Sequence, residues 1–181
     1  DKSAAAHAAE AAALMKRAID NTLLTENIAG YKWSKGCLGA MLFVTAMSDR
    51  SMGDQFADPE LAPLWQALAC ETLKVVKAEG VQPGAFDGFD PKLFLGIDHP
   101  ERTRAGILAI AHHCQNAWAT KPHAGIWRDL YVRHRVTEVD PQITDIQMHA
   151  RQLGLQTPLV SRLIVMIREI EAGTRQSSPE N

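Results

Sequence analysis

The sequence predicts an all-α protein, a bundle of helices, and three observations lead to this prediction. Apolar residues recur every three or four positions along most of the chain, which is the periodicity of an amphipathic helix. Proline, glycine and capping residues divide this pattern into segments of ordinary helical length. The sequence shows no series of strands and neither a G-x-G-x-x-G nor a G-x-x-x-x-G-K-S/T motif, so we expect no nucleotide-binding unit within it.

The predicted helices follow one another along the chain. Breakers and apolar stripes place them over residues 3–21, 30–48, 58–80, from 100 onward, 125–135, 140–154 and 157–173. Asp58, Asp140 and Thr157, each followed by proline, are expected to cap three of them. The second helix is apolar on nearly every side from Cys37 onward and is expected to be the central, buried one. Residues 81–96 are expected to form a loop, and the polar tail from residue 174 to be disordered.

Length and composition are those of one folded domain. The 181 residues, of which 46% are hydrophobic, suffice for a sizeable core. The formal net charge of −2 gives no reason to expect nucleic acid or an anionic membrane as partner. The longest apolar stretch, Cys37 to Met47, is too short to cross a bilayer. Three widely separated cysteines favour a reducing cytoplasm over a disulfide framework.

Lys35 is the first candidate for chemistry. It lies in the first turns of the most apolar helix, on the face shared with Leu38, Gly39 and Leu42. A lysine held near buried surface has its charged form disfavoured, which suits it to proton transfer. The alternative is that Lys35 extends into solvent from an amphipathic helix end.

Two acidic residues are further candidates. Glu71 falls on the apolar stripe of the helix over residues 58–80, where an unpaired charge is costly. It would pair with a lysine such as Lys35 or with a substrate hydroxyl, and the alternative is a structural ion pair. Glu138 precedes a predicted helix, at a position where a carboxylate can project into a cleft. The alternative for the whole stretch 121–140 is a solvated helix–loop–helix surface.

Metal binding and nucleophilic catalysis are not expected. His112 and His113 are adjacent, with His99 and His123 nearby in sequence. Neighbouring helical residues point about 100° apart, whereas a helical pair of metal ligands needs a spacing of three or four residues. We therefore predict no metal site. No serine lies in a strand–turn–helix elbow, and Cys37 is expected to be an inert core thiol.

Four stretches occur in an order shared with a known family. Residues 27–35 look like the motif N-I-x-x-x-x-W-x-K, and residues 70–80 are similar to a helix end E…A-x-x-x-G. Residues 125–129 with 137–140 look like S-M-x-x-D…T-E-I-D, and residues 154–158 match G-I-x-T-P. Together they resemble the C-terminal helical domain of the ketopantoate reductases, a fold shared with 6-phosphogluconate dehydrogenase-like proteins.

The resemblance implies a two-domain cytoplasmic oxidoreductase similar to 2-dehydropantoate 2-reductase, an enzyme of pantothenate biosynthesis. An N-terminal Rossmann domain, ending in residues 1–22, would bind NADPH. Residues 23–173 would form the domain that binds a 2-oxo acid, and residues 174–181 would be a disordered tail. The protein would form a homodimer. Lys35 would act as general acid, and Glu138 would bind both the substrate and the lysine. This fragment alone is expected to be inactive.

Several positions depart from the family pattern. Gly39 and Phe43 stand where family members carry asparagines one and two turns after the lysine. The family serine that contacts the substrate carboxylate is replaced around Ala124-Gly125. These departures favour a different, more apolar carbonyl substrate. The candidate substrate contacts are Glu71, His123, Gly125, Trp127 and Arg128. The missing asparagines favour an alternative function, a non-catalytic helical dimerisation or interaction module derived from the family.

Overall fold

The computed structural model describes residues 2–95 and 100–178, and its fold is all-α, which confirms the predicted class. No strand occurs within these two ranges, where Phe86 and Phe89 form an isolated antiparallel bridge. A 3-10 turn covers Pro91–Leu93 and a π-helical turn covers Asp140–Thr144. The α-helices are α1 (Lys2–Met15), α2 (Ile28–Thr45), α3 (Met52–Ala57), α4 (Ala62–Ala78), α5 (Pro100–Asn116), α6 (Gly125–Tyr131), α7 (Asp145–Gln152) and α8 (Pro158–Glu171).

Helix α2 lies in the centre of the core, as its apolar sequence predicts. Cys37, Met41 and Phe43 are completely buried on it. Burial disfavours the thiolate and raises the pKa of Cys37 to about 12, so this cysteine is an inert core thiol. Asn27 caps the helix, because its side-chain oxygen accepts a hydrogen bond from the Gly30 N–H at 3.1 Å.

The start of α2 is tied to the loop that follows α4. The Asn27 side-chain amide donates a hydrogen bond to the Gln82 carbonyl at 2.8 Å. Gly30 permits this crossing, since a Cβ at that position would lie 2.1 Å from the same carbonyl oxygen. The contact therefore fixes the first turn of the helix that carries Lys35.

Helix α3 was not predicted, and the predicted cap at Asp58 is wrong. Ser51 caps α3 by accepting a hydrogen bond from the Asp54 N–H at 3.1 Å. Asp58 ends this helix, accepts from the Glu60 N–H at 3.0 Å and pairs with Arg50 at 2.7 Å. Because the aspartate is used in the connecting turn, α4 begins after it without a side-chain cap.

The predicted cap at Asp140 is wrong as well, whereas Thr157 is the N-cap residue of α8, as predicted. The Thr157 side chain makes no capping hydrogen bond. Asp140 lies within the π-helical turn, where it accepts from the Thr144 hydroxyl at 3.0 Å and pairs with Arg168 at 2.5 Å. The helix predicted over residues 125–135 ends at Tyr131.

The two ends of the described chain differ in how they contact the bundle. Leu14 and Met15 of α1 are 62% and 52% exposed, so this helix presents apolar side chains to solvent. At the other end, the Ser177 hydroxyl and the Ser178 N–H donate to the Met47 carbonyl at 3.3 and 3.1 Å. The tail expected to be disordered therefore makes specific contacts as far as residue 178. No helix in the described ranges is long and apolar enough to span a membrane.

Candidate active site

An open cleft separates the first turns of α2 from the π-helical turn and α7. Its volume is about 410 Å³, and Lys35 lines it. The Lys35 side chain is exposed, as expected for a lysine that extends from a helix end into solvent and not for one held near buried surface. The other lining residues come from both walls: Lys32, Trp33, Gly36, Pro141, Gln142, Asp145, Ile146 and His149.

Glu138 is connected to this cleft through Gln142. The Gln142 side-chain amide donates to the Glu138 carboxylate at 2.5 Å, and the Gln142 N–H donates to the Glu138 carbonyl at 3.2 Å. Gln142 itself lines the cleft opposite α2. The structure thus brings the two predicted catalytic residues to one region, with Lys35 on one wall and Glu138 bonded to a residue of the other.

The segment that leads to Glu138 is held by charged contacts. The Asp129 carboxylate forms ion pairs with Arg133 at 2.7 Å and with Arg135 at 2.9 Å. Burial acts to raise the pKa of Asp129, but the hydrogen bonds from the two arginines outweigh it and hold that pKa below its usual value. On the other side, the Thr137 N–H donates to the Glu171 carboxylate at 2.7 Å. Both contacts restrict the backbone that positions Glu138.

Asp129→Asn is expected to lower the free energy of unfolding at neutral pH, with a difference that shrinks in acid. The folded-state pKa of Asp129 is depressed, so the stabilisation is present above the ordinary value of 3.8 and is lost as the pH falls through the lower folded value. Urea unfolding of the wild type and the variant at several pH values measures this difference. A gap that stays constant down to strongly acidic pH would contradict the charge-based account.

His149 is a cleft residue that the sequence analysis missed. Its Nδ1 lies 2.5 Å from a Glu79 carboxylate oxygen, and its Nε2 lies 3.9 Å from Asp145. The Trp33 ring meets the imidazole edge-on, with centroids 5.1 Å apart. The available signal was the spacing of Asp145 and His149, which places both on one face of a helix. Glu79 comes from the end of α4, which no local pattern links to α7.

Glu71 has a different partner from those expected. Its two carboxylate oxygens accept from the Leu159 N–H at 3.1 Å and the Val160 N–H at 2.8 Å. These N–H groups belong to the first turn of α8, where intrahelical acceptors are lacking and a negative charge is favoured. Glu71 therefore caps α8 from α4. It lines a separate cleft, so the structure does not bring it to Lys35.

Glu71→Ala is expected to lower the free energy of unfolding by about 1–3 kcal/mol, because two N–H groups of α8 lose their acceptors. Urea unfolding measures the total loss, and hydrogen exchange of the first turn of α8 locates it. Glu60→Ala is the matched control, since Glu60 is exposed. A loss for Glu71→Ala no larger than that of the control would contradict the capping role.

The other predicted substrate contacts gather at the start of α6. His123 stacks on Trp127 with centroids 4.1 Å apart, and the Trp127 N–H donates to Asp49 at 3.2 Å. Gly125 is exposed, with open space where a Cβ would project. The Arg128 Nε is buried and has no hydrogen-bond partner among the described residues. These four do not line the Lys35 cleft, so a role in substrate binding stays a prediction.

The histidines near α5 show no arrangement for a metal ion. The His113 ring meets Trp118 edge-on at 4.8 Å, and burial raises the pKa of the neighbouring Cys114 thiol to about 11. Within residues 2–95 and 100–178, no three His, Cys, Asp or Glu side chains are grouped to hold a metal. His99 lies outside the described residues.

The fold is similar to part of a solved dehydrogenase structure. It resembles, with a TM-score of 0.70, a D-mandelate dehydrogenase whose structure was determined in a ternary complex with NADH and anilino(oxo)acetate. The likeness covers 93% of this chain and 62% of that protein, at 20% sequence identity. At this identity the likeness establishes a shared fold.

The particular family follows from the sequence. The family described as ketopantoate reductase PanE/ApbA C terminal matches residues 27–171, and the chain belongs to it. The resemblance inferred from the four motifs is thereby confirmed. The 2-dehydropantoate 2-reductases of Streptococcus pyogenes serotypes M6 and M18 are each 24% identical over 167 residues, which cover 90% of this chain and 47% of the relative. The chain thus spans about half the length of these curated relatives.

Proposed function

We propose that this chain is the substrate-binding and catalytic part of an NADP-dependent oxidoreductase similar to 2-dehydropantoate 2-reductase, which reduces a 2-oxo acid or a related carbonyl. The observation that carries the proposal is the cleft with Lys35 on one wall and Gln142, bonded to Glu138, on the other. An ammonium group and an anchored carboxylate are suited to carbonyl reduction, in which negative charge develops on oxygen. Membership of a reductase family supports the same reaction.

Lys35 supplies the proton in the proposed reaction. The nicotinamide cofactor, when bound, provides a hydride for the carbonyl carbon. As the C–H bond forms, the electron pair of the carbonyl π bond moves to oxygen, and the Lys35 ammonium protonates that oxygen. The product is a 2-hydroxy acid, and the neutral lysine regains its proton from solvent. Glu138 binds the substrate and orients the lysine.

The dinucleotide site belongs, in this proposal, to a Rossmann domain that ends in residues 1–22. The sequence has no glycine-rich phosphate-binding motif, and the chain spans about half of its curated relatives. Leu14, Met15 and Ile19 are all more than half exposed and offer an apolar surface for a further domain to cover. Residues 23–173 then form the substrate-binding domain, which is inactive without the cofactor site.

The substrate is proposed to carry fewer polar groups than ketopantoate. Of the two positions where the family has asparagine, Phe43 is completely buried in the core and Gly39 has no side chain. Neither supplies a polar contact to the cleft. Ketopantoate is one of the 2-oxo acids in the test below. Its reduction would support a role in pantothenate biosynthesis. A cytoplasmic location and a homodimer are part of the same proposal.

The test is the reduction of a panel of 2-oxo acids by the intact polypeptide. The reaction is monitored through the oxidation of NADPH or of NADH. We expect turnover with at least one aliphatic or aromatic 2-oxo acid and a preference for NADPH. Absence of turnover with every acid, together with no shift of the melting temperature by any of them, would overturn the proposal. If the protein shows no turnover and no shift but forms a dimer in sedimentation analysis, this would instead support the non-catalytic interaction module.

A further inference from the structure

The space beside Gly39 is occupied by the side chain of Gln142. Gly39 is buried on α2, one helical turn after Lys35 and on the same face. A Cβ at Gly39 would lie 3.5 Å from the Gln142 side-chain oxygen, which is ordinary van der Waals contact. Apart from the backbone of its own helix and its chain neighbours, no other atom would lie within 4 Å of it. The carbonyl oxygen of an amide from the opposite wall therefore lies beside the position where α2 offers no side chain, while the nitrogen of the same amide faces Glu138.

The π-helical turn Asp140–Thr144 is what directs Gln142 to this place. A π turn is wider than an α turn and re-aims the side chains within it, and such turns occur frequently at functional sites. This one is fixed on both sides of Gln142, since Asp140 pairs with Arg168 and Ile143 is completely buried. The backbone on both sides of Gln142 is consequently anchored, by an ion pair at the surface and by one core side chain.

The hydrogen bonds of Gln142 leave part of its amide available. A glutamine side chain has two N–H donors and one carbonyl acceptor. One donor is used by Glu138 at 2.5 Å, and no second side-chain hydrogen bond of Gln142 is formed within the described chain. Gln142 lines a cleft whose charged residues are Lys32 and Lys35 on the α2 wall and Asp145 on its own wall. Beside the two lysines, an unused N–H donor favours an anionic group of a ligand, which has to lie away from the Asp145 and Glu138 carboxylates.

We propose that Gln142 is both a positioning residue for Glu138 and a specificity-determining contact for the carboxylate of the 2-oxo acid. One amide N–H holds Glu138, and the other donates to the substrate carboxylate beside Lys35. The amide that the family carries on α2 is thus supplied here from the π-helical turn. This inference rests on the proposed function, because it assigns the residue that recognises the substrate in the same cleft.

The experiment moves the amide from one wall to the other in the intact polypeptide. Gln142→Leu is expected to raise KM for 2-oxo acids about 10- to 100-fold with a smaller change in kcat, as for loss of a hydrogen bond to a charged group. Gly39→Asn in the Gln142→Leu background is expected to recover at least a third of that loss, because it restores an amide beside Lys35. Gln142→Glu, which keeps the size but replaces the donor with a charge, is expected to raise KM further.

Gln152→Leu is the matched control, because Gln152 is exposed at the end of α7. Melting temperatures identify variants that are folded, and the dissociation constant of oxamate, measured by calorimetry with NADPH present, gives a readout independent of turnover. This inference alone would be overturned if the wild-type protein is active and the variants Gln142→Leu and Gln152→Leu have the same KM and the same oxamate affinity. Wild-type protein that neither turns over any acid nor binds oxamate would overturn the proposed function, and this inference with it.

Discussion

Lys35→Ala is expected to lower kcat for 2-oxo acid reduction by the intact protein about 100- to 10,000-fold, the range found for loss of a general acid. The alkoxide that forms during hydride transfer then lacks both its proton donor and the nearest stabilising charge. KM is expected to change less, since the Gln142 amide remains in the cleft. Steady-state rates with saturating NADPH measure the effect, and the melting temperature checks that the exposed side chain was removed without loss of fold.

Lys77→Ala is the control for this prediction. Lys77 is an exposed lysine of α4 that does not line the cleft, so its removal changes charge by the same amount without touching the site. Lys35→Arg keeps the positive charge but not a titratable ammonium, and it is expected to stay close to Lys35→Ala in rate. A Lys35→Ala enzyme as active as Lys77→Ala across the whole panel would rule out Lys35 as proton donor.

Phe43→Asn is expected to lower the free energy of unfolding by about 4–8 kcal/mol, although it restores the residue that the family carries there. Phe43 is completely buried, so the shorter side chain leaves a cavity. Truncation of a buried phenylalanine costs about 3–5 kcal/mol, and an amide without partners in the core adds about 1–3 kcal/mol. Urea unfolding measures the sum, and a domain of ordinary stability is expected to be largely unfolded at 37 °C.

Phe43→Leu and Gly39→Asn are the comparisons. The leucine keeps an apolar side chain in the same space and is expected to cost clearly less than the asparagine. Gly39→Asn places its amide next to the half-buried Gln142 side chain, which has to move aside, and not among core residues, so it is expected to cost less than Phe43→Asn. If Phe43→Asn were as stable as Phe43→Leu, the side chain at this position would have to reach a polar environment, which disagrees with its burial.

The fold was largely predictable because its signals are local. The apolar stripes of α2, α4 and α8 repeat over several turns, and such long patterns determine both the type and the buried face of a helix. Helix α3 was missed because its six residues give too short a pattern. The cap at Asp58 failed for a related reason, since the residue type is right but its side chain accepts from the Glu60 N–H in the connecting turn. Thr157 stands at the predicted N-cap position, but Glu71 accepts the hydrogen bond from the Val160 N–H.

The site was predictable only in part because it combines distant segments. Lys35 and Glu138 were identified through family motifs, and the structure relates them through Gln142. Gln142 contacts Glu138 locally, but no local signal places that pair opposite Lys35. Likewise, no local signal links His149 to Glu79 at the end of α4. Glu71 was misinterpreted because a carboxylate on an apolar stripe predicts that a partner exists, but not that the partner is the backbone of a helix 88 residues away.

The link between Asn27 and Gln82 bears on the order in which the protein folds. The two residues are 55 positions apart, and α2, α3 and α4 lie between them in sequence. Contacts that close so long a loop form late, because the entropy of closure must be offset by structure already present. The first turn of α2 is therefore secured only after α4 and its following loop have assembled. A nascent chain that ends before residue 82 has the lysine of the cleft and the helices α2 and α4, but it lacks the hydrogen bond that holds the start of α2.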